Sequence, residues 1–244
     1  NRCHQCRKPI PTTDKGQIEQ LREWLDKGEA WAQRTMGQLY RDGQYGLNQS
    51  YVMAAMLFEK AVAQGDPEAM YNLARLYETG QGVTQSFERV VELYTMAAEK
   101  GYARAMFNLG CMYRDGRGVA QSDEKAAELF TTAAEQGNAS AMSNLGVVYF
   151  QGQGVDQSNE LAREWLSKAA NEGDERAIKN LQILDKNEDK STTTTSTTAA
   201  APSSYCCAAC NTPQTNDHTL NRCKCHSVYY CNATCQRAHW GTHQ

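Results

Sequence analysis

The chain has 244 residues, of which 41% are hydrophobic and 22% charged, with a net charge of −3 and an estimated pI near 6.0. This is the composition of an ordinary globular protein, and it lacks the basic balance of a nucleic-acid-binding domain. No run approaches the roughly eighteen apolar residues that a membrane helix needs. We therefore expect neither nucleic acid nor a membrane as a partner.

The first segment, residues 1–13, carries one cysteine pair, Cys3 and Cys6. Two thiolates are only half of a tetrahedral zinc site. The string from Cys3 to Pro9 resembles the last cysteine pair of a RING finger, which would place further ligands upstream of Asn1. A stray remnant and a truncated second zinc module are the alternatives.

Residues 14–186 repeat with a period of 36 residues. Copies begin at Asp66, Tyr102 and Asn138, an earlier copy covers residues 29–65 with one extra residue, and a truncated fifth starts at Asp174. The copies share an alanine, an asparagine and a leucine in register: Ala69, Ala105, Ala141 and Ala177; Asn72, Asn108, Asn144 and Asn180; Leu73, Leu109, Leu145 and Leu181.

Each copy predicts two helices. Ala69, Leu73 and Leu76 recur at the spacing of one apolar helix face, and the small residue that follows the shared leucine predicts close approach of a neighbouring helix (Gly37, Ala74, Gly110 and Gly146). A Gly-x-Gly turn should end the first helix, because glycine accepts positive φ. A serine should cap the second helix, and a glycine should end it: Ser50, Ser86, Ser122 and Ser158; Gly65, Gly101, Gly137 and Gly173.

A single helix pair cannot bury its apolar faces, so the copies must stack. Residues 17–27 should form a lone helix that caps the first copy. The recurring string A-M-x-N-L-G-x-x-Y-x-x-G-x-G-V resembles the Sel-like repeat family, relatives of the tetratricopeptide repeats. The resemblance implies an all-α, right-handed αα-solenoid of about four and a half repeats that brings other proteins together without catalysis. A mere spacer is the alternative.

Two features of the repeats have a simple structural interpretation. The Gly-x-Gly elements follow helices rather than strands, so they do not predict a phosphate-binding loop. Cys111 lies within the first helix of the third copy, without a cysteine partner nearby, and is expected to pack.

After the repeats, residues 187–204 include a run of Ser, Thr and Ala that starts at Ser191. Such a segment has nothing large to bury, so it predicts a flexible linker.

The last segment, residues 205–244, combines seven of the ten cysteines with four histidines: Cys206, Cys207, Cys210, Cys223, Cys225, Cys231 and Cys235; His218, His226, His239 and His243. Thiolate and imidazole together suit zinc and not a disulfide framework. This favours a reducing compartment, either cytoplasm or nucleus.

The string from Tyr230 to His243 resembles the MYND finger. In that family two zinc ions are bound by interleaved pairs of ligands, which implies Cys207, Cys210, Cys231 and Cys235 for the first ion and Cys223, Cys225 and His243 for the second. Cys223 departs by one residue from the family spacing, so His226 could replace Cys225 as its partner. The family's last cysteine would fall beyond Gln244, which leaves His239, His226 or water to complete the second site.

The same resemblance implies that the finger docks short proline-containing peptides through Gln236 and Trp240. Alternatively, Trp240 covers the metal and Gln236 is a solvated helix residue. Four thiolates leave zinc no open position, so no catalytic zinc is expected and the chain should not be an enzyme. We predict a zinc-binding protein–protein interaction scaffold; the alternative is a subunit of a RING-type ubiquitin ligase whose RING lies mostly upstream of residue 1.

Overall fold

Ten α-helices and two short strands make up the part of the chain that the computed structural model describes, namely residues 13–194, 221–222 and 229–230, with side chains up to residue 187. The helices are α1 Asp14–Asp26, α2 Ala30–Asp42, α3 Tyr51–Ala63, α4 Pro67–Thr79, α5 Phe87–Glu99, α6 Ala103–Asp115, α7 Asp123–Glu135, α8 Ala139–Gln151, α9 Asn159–Asn171 and α10 Glu175–Thr194. Strand β1, Asn221–Arg222, pairs antiparallel with β2, Tyr229–Tyr230.

The ends of the helices lie where capping chemistry predicts them. The hydroxyl of Ser122 accepts a hydrogen bond from the Lys125 N–H at 3.3 Å, and the other three capping serines do the same at their helices. Gly116 ends α6 at φ 66°, with its N–H bonded to the Met112 carbonyl. Helices α1 to α9 consequently all have 13 residues, and the prediction of paired helices is confirmed.

The extra residue of the first copy is absorbed in the turn between α2 and α3. Tyr45 lies there at φ 55°, and it is the only non-glycine residue with positive φ in the described part of the chain. Its side chain is exposed, so the longer turn bulges toward solvent and leaves α3 in register with the later copies.

The core of each repeat forms where the shared small residues meet a large one. Gly110 on α6 faces Phe130 on α7, and a Cβ at Gly110 would lie 2.7 Å from the Phe130 ring. Gly37 faces Phe58 and Gly146 faces Leu166 in the same way. These glycines therefore let the two helices of one repeat approach closely, as the sequence predicts.

The second glycine of each turn has a role that the sequence did not indicate. A Cβ at Gly118 would lie 2.5 Å from the backbone carbonyl oxygen of Phe87, at the start of α5 in the preceding repeat. Gly82 and Gly154 are placed equally close to the backbone of α3 and α7. The turns thus join consecutive repeats, backbone against backbone.

Two helix ends differ from the sequence prediction. Helix α1 starts at Asp14 and not at Gln17, because the Thr13 hydroxyl accepts a hydrogen bond from the Gly16 N–H. Helix α10 continues to Thr194, past residue 186, where the linker was expected to begin. No glycine or proline interrupts the chain between Glu175 and Thr194, so nothing in the sequence stops the helix. The remaining linker residues, 195–204, lie outside the described residues.

The chain divides into two compact units, Asn1–Asn187 and Glu188–Gln244. The first contains a core that runs through the repeats, with shared alanines such as Ala69, Ala105 and Ala141 fully buried. Over the described residues, no helix combines the length and the apolar character that crossing a membrane requires.

Candidate interaction cleft and metal centre

The first helices of the repeats, α2, α4, α6, α8 and α10, carry two kinds of position. Residues that the copies share, such as Leu73 and Leu145, are buried and hold the fold. The fifth residue of each first helix differs from copy to copy: Arg34, Tyr71, Phe107, Ser143 and Lys179. Most of these variable side chains are partly accessible, so this surface is where the repeats can differ in what they bind.

One cleft of about 400 Å³ opens on this surface between α4, α6 and the start of α8. That volume lies within the range of small-ligand and peptide-side-chain pockets. We call it the α4–α8 cleft; it is lined by Tyr71, Arg104, Phe107, Asn108, Gly137, Asn138, Ala139 and Ser140. None of these residues was identified as a binding residue from the sequence: the shared Asn108 and Gly137 were interpreted as part of the repeat, and the pattern gives no signal at variable positions such as Tyr71 and Phe107.

Two aromatic rings, those of Tyr71 and Phe107, line the cleft. The Tyr71 ring lies 5.8 Å from the ring of Tyr94 and 5.4 Å from that of Tyr102, centroid to centroid. Phe107 packs at 5.8 Å against the ring of Phe130. Tyr94 and Phe130 are fully buried on the second helices. The cleft rings are thus held in place by the core.

The shared asparagines have different partners in successive repeats. Both ends of the Asn72 amide are hydrogen-bonded. Its Oδ1 accepts from Arg41 Nη1 at 2.8 Å, and its Nδ2 donates to the Glu68 carbonyl at 2.8 Å. Asn108 donates from Nδ2 to the Tyr94 hydroxyl at 2.9 Å. No described donor bonds its Oδ1, which therefore remains an open acceptor inside the cleft.

The charge of the cleft comes from Arg104. It is the only charged side chain in the lining, and it forms no ion pair with any described residue. Glu68, the carboxylate on the same helix as Tyr71, is paired with Arg34 Nη1 at 2.7 Å. Burial raises the pKa of the Tyr102 phenol and the charge of Glu68 raises it further, whereas the charge and side-chain hydrogen bond of Arg104 lower it; burial prevails.

Cys111 lies one turn beyond Phe107 on α6. It is half-buried against the core of α6, α7 and α8, and its Sγ accepts from Asn144 Nδ2 at 3.9 Å. Burial raises the pKa of its thiol. These contacts agree with the prediction that Cys111 is a packing residue.

The outer face of α3 is unusually apolar. Val52, Met53 and Met56 are 56%, 40% and 49% exposed. The residues in register on the later second helices are mostly charged: Glu88, Arg89 and Glu92; Glu124, Lys125 and Glu128; Glu160, Leu161 and Glu164. Only the first repeat therefore presents this apolar face.

All nine residues predicted from the finger lie outside the described residues: the seven zinc ligands Cys207, Cys210, Cys223, Cys225, Cys231, Cys235 and His243, and the peptide contacts Gln236 and Trp240. Cys3 and Cys6 lie outside them too. Within the described part of the chain, no cluster of three or more His, Cys, Asp or Glu could hold a metal. The thiols and imidazoles of the last segment are a donor set that fits zinc.

The β1–β2 ladder gives the finger a backbone frame. Arg222 pairs with Tyr229 and Asn221 with Tyr230. In the sequence Cys223 follows β1 and Cys231 follows β2. Because the strands are antiparallel, the chain leaves them at opposite ends of the ladder.

Helix pairs of equal length stacked through their turns define the class of αα-solenoid repeat proteins, here with a small finger unit at the end of the chain. The Sel1 repeat family matches residues 32–66, 67–102, 103–138 and 139–174, more than half of the chain, and the MYND finger family matches residues 207–244. The chain belongs to the Sel1 repeat family and carries a MYND finger, which implies zinc binding. Both families indicate protein partners, and Sel1 repeat scaffolds are in general non-enzymatic.

Solved structures with similar folds are Sel1 repeat proteins as well. A protective antigen of uropathogenic Escherichia coli with an SLR fold is 29% identical, with a TM-score of 0.65 over 70% of this chain and 36% of its own. A Sel1 repeat protein from Oxalobacter formigenes is 29% identical, with a TM-score of 0.62 over 67% of each chain. The chain thus spans about a third of the E. coli antigen. No curated protein matches it significantly.

Proposed function

We propose that this protein is a non-enzymatic scaffold whose solenoid docks partner proteins and whose MYND finger binds short proline-containing peptides. The observation that carries the proposal is the combination in one chain of four Sel1 repeats with a MYND finger. Two recognition modules in one chain allow two partners to be held together, and linkage raises the effective concentration of one partner near the other.

The solenoid surface favours docking over a spacer role. A spacer needs only the shared, buried positions. Here the first helices also present an aromatic-lined cleft whose guanidinium has no carboxylate partner among the described residues; the cleft is formed by residues such as Tyr71, Arg104 and Phe107. Arginine and aromatic side chains are the residue types enriched where proteins bind one another.

For the finger, Gln236 and Trp240 are the proposed peptide contacts. Zinc would fix the fold and leave peptide recognition to side chains, because closed tetrahedral coordination offers no open position. The dependence on thiolate ligands also supports a reducing compartment, cytoplasm or nucleus, as the site of action.

The test uses the zinc-loaded full chain and an array of ten-residue peptides with one to three prolines, each beside the same peptide with alanine in place of proline. Binding should depend on proline and fall at least tenfold in Trp240→Ala and in Gln236→Ala. The matched control is Gln182→Ala, on the exposed side of α10. Equal binding by Trp240→Ala with unchanged zinc content would refute the peptide-docking role of the finger.

A further inference from the structure

We propose that the α4–α8 cleft binds a short peptide segment in which an acidic side chain stands next to an apolar one. This inference deepens the proposed function and rests on it, since it assigns the solenoid a specific docking site and its partner a specific chemistry.

The apolar part of the ligand is set by two preorganised rings. Tyr71 and Phe107 are partly exposed in the cleft, yet each is braced by a buried ring, Tyr94 and Phe130 respectively. A ring that is already fixed loses little conformational entropy when a ligand covers it. An aliphatic or aromatic side chain that packs on these rings would be stabilised by removal of its apolar surface from water.

Asn108 indicates that the ligand is a peptide. In the preceding repeat the equivalent Asn72 has both ends of its amide occupied by protein groups. At Asn108 only the Nδ2 donor is occupied, by the Tyr94 hydroxyl. The position in register with Arg41 is Glu78, and a carboxylate cannot donate to Oδ1. The free Oδ1 suits a backbone N–H, the donor that every extended peptide segment presents.

The charge of the ligand is set by Arg104. Its guanidinium has no carboxylate partner in the described part of the chain, whereas Arg34 on α2 is paired with both Asp66 and Glu68. The lining contains no acidic residue. A carboxylate of the partner would complete the site with charge-assisted hydrogen bonds. The Ser140 hydroxyl, on the other side of the cleft, offers a further polar contact.

The experiment selects from a phage library of random ten-residue peptides on the zinc-loaded full chain, with Arg104→Glu as the test variant. Arg104 lies in the first turn of α6, where a glutamate is favourable for the helix, so the variant should fold. The control is Arg89→Glu, which makes the same charge change in the first turn of α5. Cys231→Ser separates out peptides that bind the finger.

Enriched peptides should carry Asp or Glu beside an apolar residue, and their affinity should fall at least tenfold in Arg104→Glu but not in Arg89→Glu. A peptide resynthesised with Asn for Asp should lose affinity to a similar degree, and Ser140→Trp, which fills the cleft, should abolish binding. The inference is overturned if the selected peptides are basic, if they bind Arg104→Glu as well as the parent chain, or if none is enriched. The proline-peptide array judges the proposed function of the finger independently of these results.

Discussion

At Gly146 the fold depends on the absence of a single side chain. A Cβ there would lie 2.6 Å from Leu166 Cγ and 3.1 Å from the Ala162 carbonyl oxygen. Leu166 is 1% exposed, so a Cβ at residue 146 would press on a fully buried side chain. The glycine is helical, so it is retained for close approach between α8 and α9 and not for its backbone freedom.

Replacement Gly146→Leu should destabilise the solenoid by about 1–3 kcal/mol, because overpacking forces neighbouring side chains and backbone to shift. Urea unfolding followed by far-UV circular dichroism measures the free energy. The same substitution in a Leu166→Ala background should cost less, since the opposing side chain is gone. An equal cost in both backgrounds would show that the contact with Leu166 is not the source.

In the finger, individual thiols are the proposed ligands of zinc. Cys231→Ser should remove one of the four thiolates proposed for the first ion and lower the zinc content, as read by native mass spectrometry of the full chain. Cys206→Ser, beside the proposed ligand Cys207, is the matched control and should keep the full content. Wild-type zinc content in Cys231→Ser would show that the proposed ligand set is wrong.

The proposed second site has Cys223, Cys225 or His226, and His243, with no fourth family ligand assigned. A three-ligand site completed by water should bind zinc more weakly than four thiolates. Titration with a colorimetric chelator should therefore release zinc in two steps. One tight ion alone would mean that the second set is empty, and two equally tight ions would mean that a histidine completes it.

Among the helices, α10 is preceded by a charged residue, Asp174. Asp174 Oδ1 accepts from the N–H of Arg176 at 2.9 Å and of Ala177 at 3.2 Å, and its other oxygen pairs with Arg176 Nη2. Partial burial raises the pKa of the Asp174 carboxyl, but these bonds outweigh burial and leave the pKa below its usual value.

A lowered folded-state pKa means that Asp174 stabilises α10 above the unfolded value of about 3.9, and that this contribution is lost as the pH falls through the lower folded value. Amide hydrogen exchange of residues 175–181, corrected for intrinsic rates, should therefore accelerate below about pH 4. Asp174→Asn keeps an acceptor oxygen but does not titrate, so its acid step should be absent. An identical acid step in that variant would place the titrating group elsewhere.

For the helices, the sequence predicts those features that local chemistry determines. Ser122 and Gly116 fix helix ends by hydrogen bonding and backbone conformation, and both were predicted from the repeat. The continuation of α10 to Thr194 was not predicted, because a threonine-rich run suggests a linker while no residue in it stops a helix. The α4–α8 cleft was missed for another reason. Tyr71 differs from its counterparts in the other copies, and Arg104 recurs only as Arg176 in the fifth copy, whereas a repeat pattern reveals what most copies share.

For the molecule as a whole, the two units should respond differently to loss of metal. Within the described residues no side-chain cluster could hold a metal, so the helices should form without zinc. A strong chelator added to the full chain should release zinc while the far-UV helical signal stays nearly constant. Loss of most of that signal on chelation would contradict a metal-independent solenoid.

The contact between the turns and the preceding repeat has a consequence for the length of the protein. Gly118 contacts the backbone at Phe87 in the preceding repeat. Gly82 and Gly154 each make the equivalent contact with the backbone of the repeat that precedes them. A contact between main chains does not depend on which side chains the neighbour carries. The turn contact can therefore recur at every joint, and a solenoid of this kind can gain or lose whole units by tandem duplication or deletion where the side-chain pairs that also cross the joint, such as Arg41 with Asn72, are kept. Each unit remains free to change the side chains on its accessible face.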